Sequence, residues 1–212
     1  MTATRLSLYQ GALRALGARS ITALTENRES RRVLDQIWND GAVADCLEQG
    51  YWKWAIRTQE ITYDSSIDPD YGYQYAFAQP SDFVRLYSIC SDENFDNPIT
   101  RYVDEAGYWY SDYDTIYVQY VSDDSNYGTN YSLWAGSFTS YVELYLASEG
   151  CVRITQSDTK QDRIDKRLKA ALLSARSKDA LKNPVKFMHP GSWSSARNRG
   201  RWGGFNAVLP ST

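Results

Sequence analysis

An α+β chain is what the sequence predicts, and three observations predict it. Apolar residues recur at steps of three and four near both ends of the 212 residues, they alternate at a step of two in the middle, and the helical stretches carry a polar face. The architecture expected from that order is a helical bundle built from N- and C-terminal helices, with an inserted antiparallel β-rich part and an extended C-terminal tail.

Leu6, Tyr9, Leu13 and Leu16 define a first helix over 5–17, with Thr4 as its cap and Gly17 as its stop. Thr25, Glu26 and Glu29 suit the first turn of a second helix, whose apolar stripe is Val33, Leu34, Ile37 and Trp38. Gly41 breaks or bends it, after which Val43, Leu47, Tyr51 and Trp54 keep the spacing, so 27–54 reads as one long or broken helix. From Thr58 the period changes. Ile61 and Tyr63 alternate with polar neighbours, Asp68-Pro69-Asp70 signals a turn, and Phe83 to Ile89 is rich in β-formers. A hairpin is expected between 101–110 and 115–121 across Ser111-Asp112-Tyr113-Asp114, because Ile116, Val118 and Tyr120 share one face. A β-rich insertion thus occupies 58–133. Phe138, Tyr141, Val142, Tyr145 and Leu146 return to helical spacing with Ser137 as cap, giving a helix over 137–154. Asp158 opens a last helix over 158–181, where Ile164, Leu168, Ala171, Leu172 and Ala175 form a narrow apolar stripe. These elements make one domain, 1–182. After Asn183-Pro184 the pattern is lost, and 183–212 reads as an extended tail.

Mean hydropathy is −0.55 and no stretch approaches the roughly 20 apolar residues that cross a bilayer. The N-terminus runs into an amphipathic pattern rather than a signal-peptide block, so neither a membrane span nor secretion is expected. Cys46, Cys90 and Cys151 are odd in number and far apart, which supports three reduced thiols over a disulfide framework or a zinc cluster. Tyrosine is unusually common at 17 residues, and so much of it points to large contact surfaces that stay partly wet.

The net charge of −3 conceals a strong asymmetry. Residues 1–57 carry 8 basic and 6 acidic groups, residues 58–145 carry 2 and 15, and residues 146–212 carry 13 and 5. Such separation speaks about partners rather than fold, although an acidic stretch also serves as a solvated face. On the last helix Lys160, Arg163, Lys166, Arg167 and Lys169 make one flank basic. In the tail, Trp193, Trp202 and Phe205 lie beside Arg197, Arg199 and Arg201, a set suited to anchoring on a partner surface or to folding back on the same chain.

Little catalytic chemistry is present. The single histidine, His189, lies in the tail, and no GxSxG, HExxH, P-loop or dinucleotide fingerprint occurs. The pairs Asp123-Asp124, Asp92-Glu93 and Asp104-Glu105 could bind a hard cation or act as a glycosidase acid and base. Their spacing is not diagnostic, and adjacent strand residues face opposite ways. No enzyme, metal or cofactor is expected.

Several stretches resemble the tail tubular protein A family, the head–tail connector or adaptor proteins of tailed bacteriophages. They are Leu6 to Gly17, Leu24 to Glu29 with Arg31-Arg32 to Trp38, Cys46 to Gly50, and Asp104 to Gly107 leading into Asp114 to Val121. Each is short, but their order and separation agree over residues 5–180, while the tail is matched only by its Trp and Arg content. The resemblance implies an adaptor domain and a structural virion protein of the phage neck, assembled in the host cytoplasm as a homo-oligomeric ring of twelve copies. Such a ring sits between the portal protein and the tail nozzle or next tail protein, and genome DNA passes through its lumen without sequence-specific binding. Under that reading the tail set of Trp193, Arg197, Arg199, Arg201, Trp202 and Phe205 docks on the portal. Lys160, Arg163, Lys166, Arg167 and Lys169 then face the acidic part of a neighbouring subunit. The alternatives are a tail-associated glycan hydrolase and a nucleic-acid-binding virion protein.

Overall fold

The computed structural model describes residues 3–182, which form five α-helices, a short 3-10 turn and two three-stranded antiparallel sheets. The mixed α+β class read from the sequence is the one adopted. Residues 183–212, and with them His189 and the six aromatic and arginine residues of the tail set, lie outside the described residues.

Helix α1 (Arg5–Leu16) begins as its sequence dictates. Thr4 sits in extended backbone, its Oγ1 accepts from the Ser7 N–H at 3.1 Å, and Ser7 Oγ accepts from the Thr4 N–H at 2.9 Å. Gly17 closes the helix in the left-handed region at φ 66°. The helix expected over 27–54 is broken at Gly41, as its sequence suggests, into α2 (Glu29–Asn39) and α3 (Ala42–Glu48), with Gly41 at φ 105°. Beyond Glu48 the helical reading fails, because a 3-10 turn at Lys53–Ala55 leads into strand β1 (Ile56–Thr62). Trp52 is the cause. Its indole is 1% exposed, lies against Gly50, and donates from Nε1 to the Leu47 carbonyl at 3.0 Å. An added Cβ on Gly50 would come within 2.9 Å of that ring, so the residue's lack of a side chain is what lets the indole take up a terminal carbonyl of α3.

Helix α4 (Gly136–Thr155) is the element against which α1, α2, α3 and α5 (Asp158–Ala180) all pack. It starts after Ala135 with no side-chain cap, so the role expected of Ser137 is not filled. Phe138, Tyr141, Val142, Leu146, Ala147 and Cys151 of α4 join Leu8, Leu13, Leu34, Leu47 and Trp52 in one large core. Polar contacts fix the α4–α5 register. Ser148 Oγ donates to Asp165 at 2.5 Å, and Gln161 Nε2 donates to Ser148 Oγ at 3.2 Å.

The first sheet has the order β1–β6–β3, with β3 spanning Phe83–Cys90 and β6 spanning Thr115–Ser122. The second has the order β2–β5–β4, from Tyr75–Ala78, Tyr108–Ser111 and Val103–Glu105. The hairpin expected across 111–114 is therefore not formed: β5 and β6 belong to different sheets. The tight turn lies earlier, at Ala106 and Gly107, whose φ angles of 52° and 83° are both positive as a type I′ connection requires. Ile116, Val118 and Tyr120 share one buried face of β6, as their spacing predicts. Those residues meet Trp109 and Phe77 in a second core, together with Ile89 and Ile99, and the rings of Phe83 and Trp109, with centroids 5.2 Å apart, join the two sheets there.

Candidate functional site

The features that could serve a function are charged surfaces, and their geometry follows from α5. A helix turns 100° per residue, so the five cations of 160–169 spread over one continuous half of α5, away from its apolar stripe. Lys160, Arg163 and Arg167, at steps of three and four, lie toward one edge of that half, and Lys166 and Lys169 continue it to the other edge. All five are exposed, and none pairs with a carboxylate within 4 Å among the described residues. Lys160 Nζ lies 3.4 Å from the Leu16 carbonyl at the end of α1, where a cation meets the negative end of the helix dipole.

Each side of α5 borders a groove. Arg167, Arg14, Glu143 and Gly11 line one of about 360 Å³ between α1, α4 and α5. Glu143 lies over Gly11, where an added Cβ would collide with the carboxyl group, and pairs with Arg14 at 3.5 Å. Burial raises the Glu143 carboxyl above its ordinary range, against the lowering effect of Arg14. Lys169 borders the other groove, of about 330 Å³, beside Leu168, Leu172 and Tyr141, with Asp45 and Glu48 on its rim. Tyr145 donates to Asp45 at 2.8 Å, and its hydroxyl is pushed upward first by burial and then by that carboxylate.

The acidic stretch 58–145 retains its charge in the fold. Of its fifteen carboxylates, only Asp82, Asp112 and Glu143 pair with a cation among the described residues, through Arg57, Arg101 and Arg14. Asp82 is the best satisfied. It accepts from Arg57 at 2.8 Å, from Tyr120 at 3.1 Å and from Ser122. Burial raises its pKa, but the bonds from Ser122, Arg57 and Tyr120 outweigh burial and hold the carboxyl below the usual range. Asp123 nearby is shifted the other way, by burial first and by the Asp82 charge second.

The three acidic pairs singled out in the sequence are used in turns and strand ends. Asp92 accepts from the Asp96 and Asn97 N–H groups at 3.0 and 2.8 Å, which lowers its pKa. Asp104 accepts from Gln79 and from Trp109 Nε1, Glu105 from Tyr71, and Asp124 from the Asn126 N–H. No group of three or more His, Cys, Asp or Glu able to hold a metal ion occurs among the described residues. Cys46, Cys90 and Cys151 are all buried, and burial pushes the Cys46 thiol upward, away from nucleophilic use. No family profile matches the chain, and no curated protein is significantly similar to it in sequence.

The contact of Glu143 with Gly11 was missed from the sequence. Gly11 reads there only as a weak helix former, and nothing local says that a carboxylate 132 positions away fills the space it leaves.

Proposed function

We propose that the protein is a non-enzymatic head–tail connector of a tailed phage, a ring-forming adaptor between portal and tail through which genome DNA passes. The observation that carries this reading is the uncompensated separation of charge. Exposed cations on α5 and unpaired carboxylates over 58–145 belong to one folded unit, so a head-to-tail contact that repeats lets neighbouring copies satisfy both. An acidic wall also suits a channel for a polyanion, because it offers no phosphate contacts that would hold the DNA. In this reading the helices form a bundle around the ring and 183–212 is an extended docking tail. Trp193, Trp202 and Phe205 fill pockets of the portal while Arg197, Arg199 and Arg201 pair with its carboxylates.

The test is the mass distribution of the full-length chain and of a chain ending at Lys182, each alone and mixed with portal particles. Full-length protein should add to portals as a fixed multiple of 24.2 kDa and the shortened chain should not. Raised salt should loosen the assembly without unfolding its subunits. A protein that stays monomeric throughout, or that turns over cell-wall glycan, rejects the proposal.

A further inference from the structure

Two exposed tyrosines and two cations stack into one row where α3, the chain after it and β3 meet. Tyr51 and Tyr87 are 43% and 42% exposed, with ring centroids 5.3 Å apart and planes at 76°. The Arg85 guanidinium lies 4.4 Å from the Tyr51 ring centroid, and Lys53 Nζ lies 5.3 Å from that of Tyr87. Arg85 is held by a hydrogen bond to the Glu48 carbonyl at 2.7 Å, and Arg176 donates to the adjacent Gln49 carbonyl. None of Lys53, Arg85 and Arg176 pairs with a carboxylate among the described residues.

Folding alone gives no reason for this arrangement. Rings left in water stabilise little, whereas rigid tyrosines flanked by arginine are the residue types that dominate the centres of protein interfaces. Three cations without carboxylates call for an acidic partner. The same chain supplies one, since Glu60, Asp68, Asp70, Glu93, Asp96 and Asp114 are exposed and have no cation beside them among the described residues. A nucleic acid fits less well. A duplex carries one negative charge for about every 1.7 Å of its axis and would bring them against the acids of 58–145.

We propose that the seam of Tyr51, Tyr87, Arg85 and Lys53 docks the acidic β region of a second copy of this chain. The inference rests on the connector reading and names the surface at which one copy meets the next. It gives the seam the central place in that contact and the cations of α5 a place at its edge.

The test compares full-length wild type, Tyr87→Ser and Lys53→Glu by sedimentation velocity over a concentration series, alone and with portal particles. Tyr87→Ser removes an exposed ring and leaves the Arg85 bond to Glu48 in place, and an unchanged thermal melt verifies that the fold is kept. Each variant should need about thirtyfold more protein to reach half-assembly, the size of effect that a hot-spot residue carries. A photo-crosslinking side chain at position 87 should capture peptides from within 58–145 of another copy. Variants that assemble like wild type, or capture of DNA or of the helices at 136–180, overturn the seam while the connector reading stands. A wild-type chain that assembles neither alone nor on portals removes both.

Discussion

The helical region and the β region of this chain are held together by different forces. Around α4 a single core gathers Leu8, Leu13, Leu34, Leu47, Trp52, Val142 and Leu146, each at most 1% exposed. Among the described residues seven buried side chains form the core shared by the sheets, and one of them, Tyr120, reaches into the knot of Asp82, Arg57 and Ser122. Apolar burial therefore dominates one region, and charge-assisted hydrogen bonds carry a larger share of the other. The two should fail under different insults, the first to a cavity and the second to acid.

The largest effect is expected where burial is most concentrated. Trp52→Ala empties the space between α3 and α4, removes the edge-to-face contact with Phe138 at 4.8 Å, and frees the Leu47 carbonyl. A loss of about 4 kcal/mol and a fall in Tm of roughly 10 °C follow from typical aromatic-to-alanine substitutions in a chain of this size. Urea unfolding followed by circular dichroism at 222 nm measures it. A loss under about 1 kcal/mol would mean that the core closes without the indole.

The same contrast decides what could be read from the sequence. Helices α1, α4 and α5 were legible because amphipathic spacing is local and each apolar stripe finds a core wherever it falls. The end of α3 was not, since Tyr51 and Trp54 fit a helical stripe equally well and only the buried position of Trp52 turns the chain. Strand β6 was legible as a strand but not in its pairing: alternation fixes which face is apolar, whereas the choice between β5 and β1 or β3 as neighbour is settled across the second core. Of the interaction surfaces, the charge of α5 and of 58–145 could be counted directly. The stacking of Arg85 on Tyr51 joins residues 34 apart through tertiary packing alone. Its one local sign is a cation alternating with Tyr87 in a stretch that holds only two cations.

A second, smaller effect tests the β region. Asp82→Asn keeps the shape of the side chain but removes the charge that Arg57 and Ser122 satisfy, with Asp82 itself 12% exposed. About 2 to 3 kcal/mol should be lost at pH 7, less than for a fully buried pair because Arg57 is 34% exposed. The folded carboxyl is held below its unfolded value, so its contribution is present above the ordinary Asp pKa of about 3.9 and disappears as pH falls through the folded one. Wild type and variant should thus converge in stability on acidification, and a gap that persists in strong acid would place the loss in packing rather than charge.

The smallest effect has the opposite sign and lies in the helical region. Glu143 is a carboxylate whose folded pKa is raised by burial, so the folded state binds more protons than the unfolded one between the two values. Its charge therefore costs stability at neutral pH, and the cost is relieved as pH falls through the folded pKa. Arg14 offsets little of it, being 79% exposed at 3.5 Å. Glu143→Gln fills the same space over Gly11 without the charge, and should raise Tm at pH 7 by about 2 to 4 °C, corresponding to roughly 1 kcal/mol. It should also abolish the part of the wild-type gain that comes from this group as pH falls through its raised folded pKa toward the ordinary Glu range. Mild acid thus relieves the groove between α1 and α4 before stronger acid loosens the knot between the sheets, and a thermal melt of both variants across that range separates the two regions within one chain. A lower Tm for Glu143→Gln at pH 7 would show that the Arg14 pair outweighs burial, and that the helical region too depends on its charges.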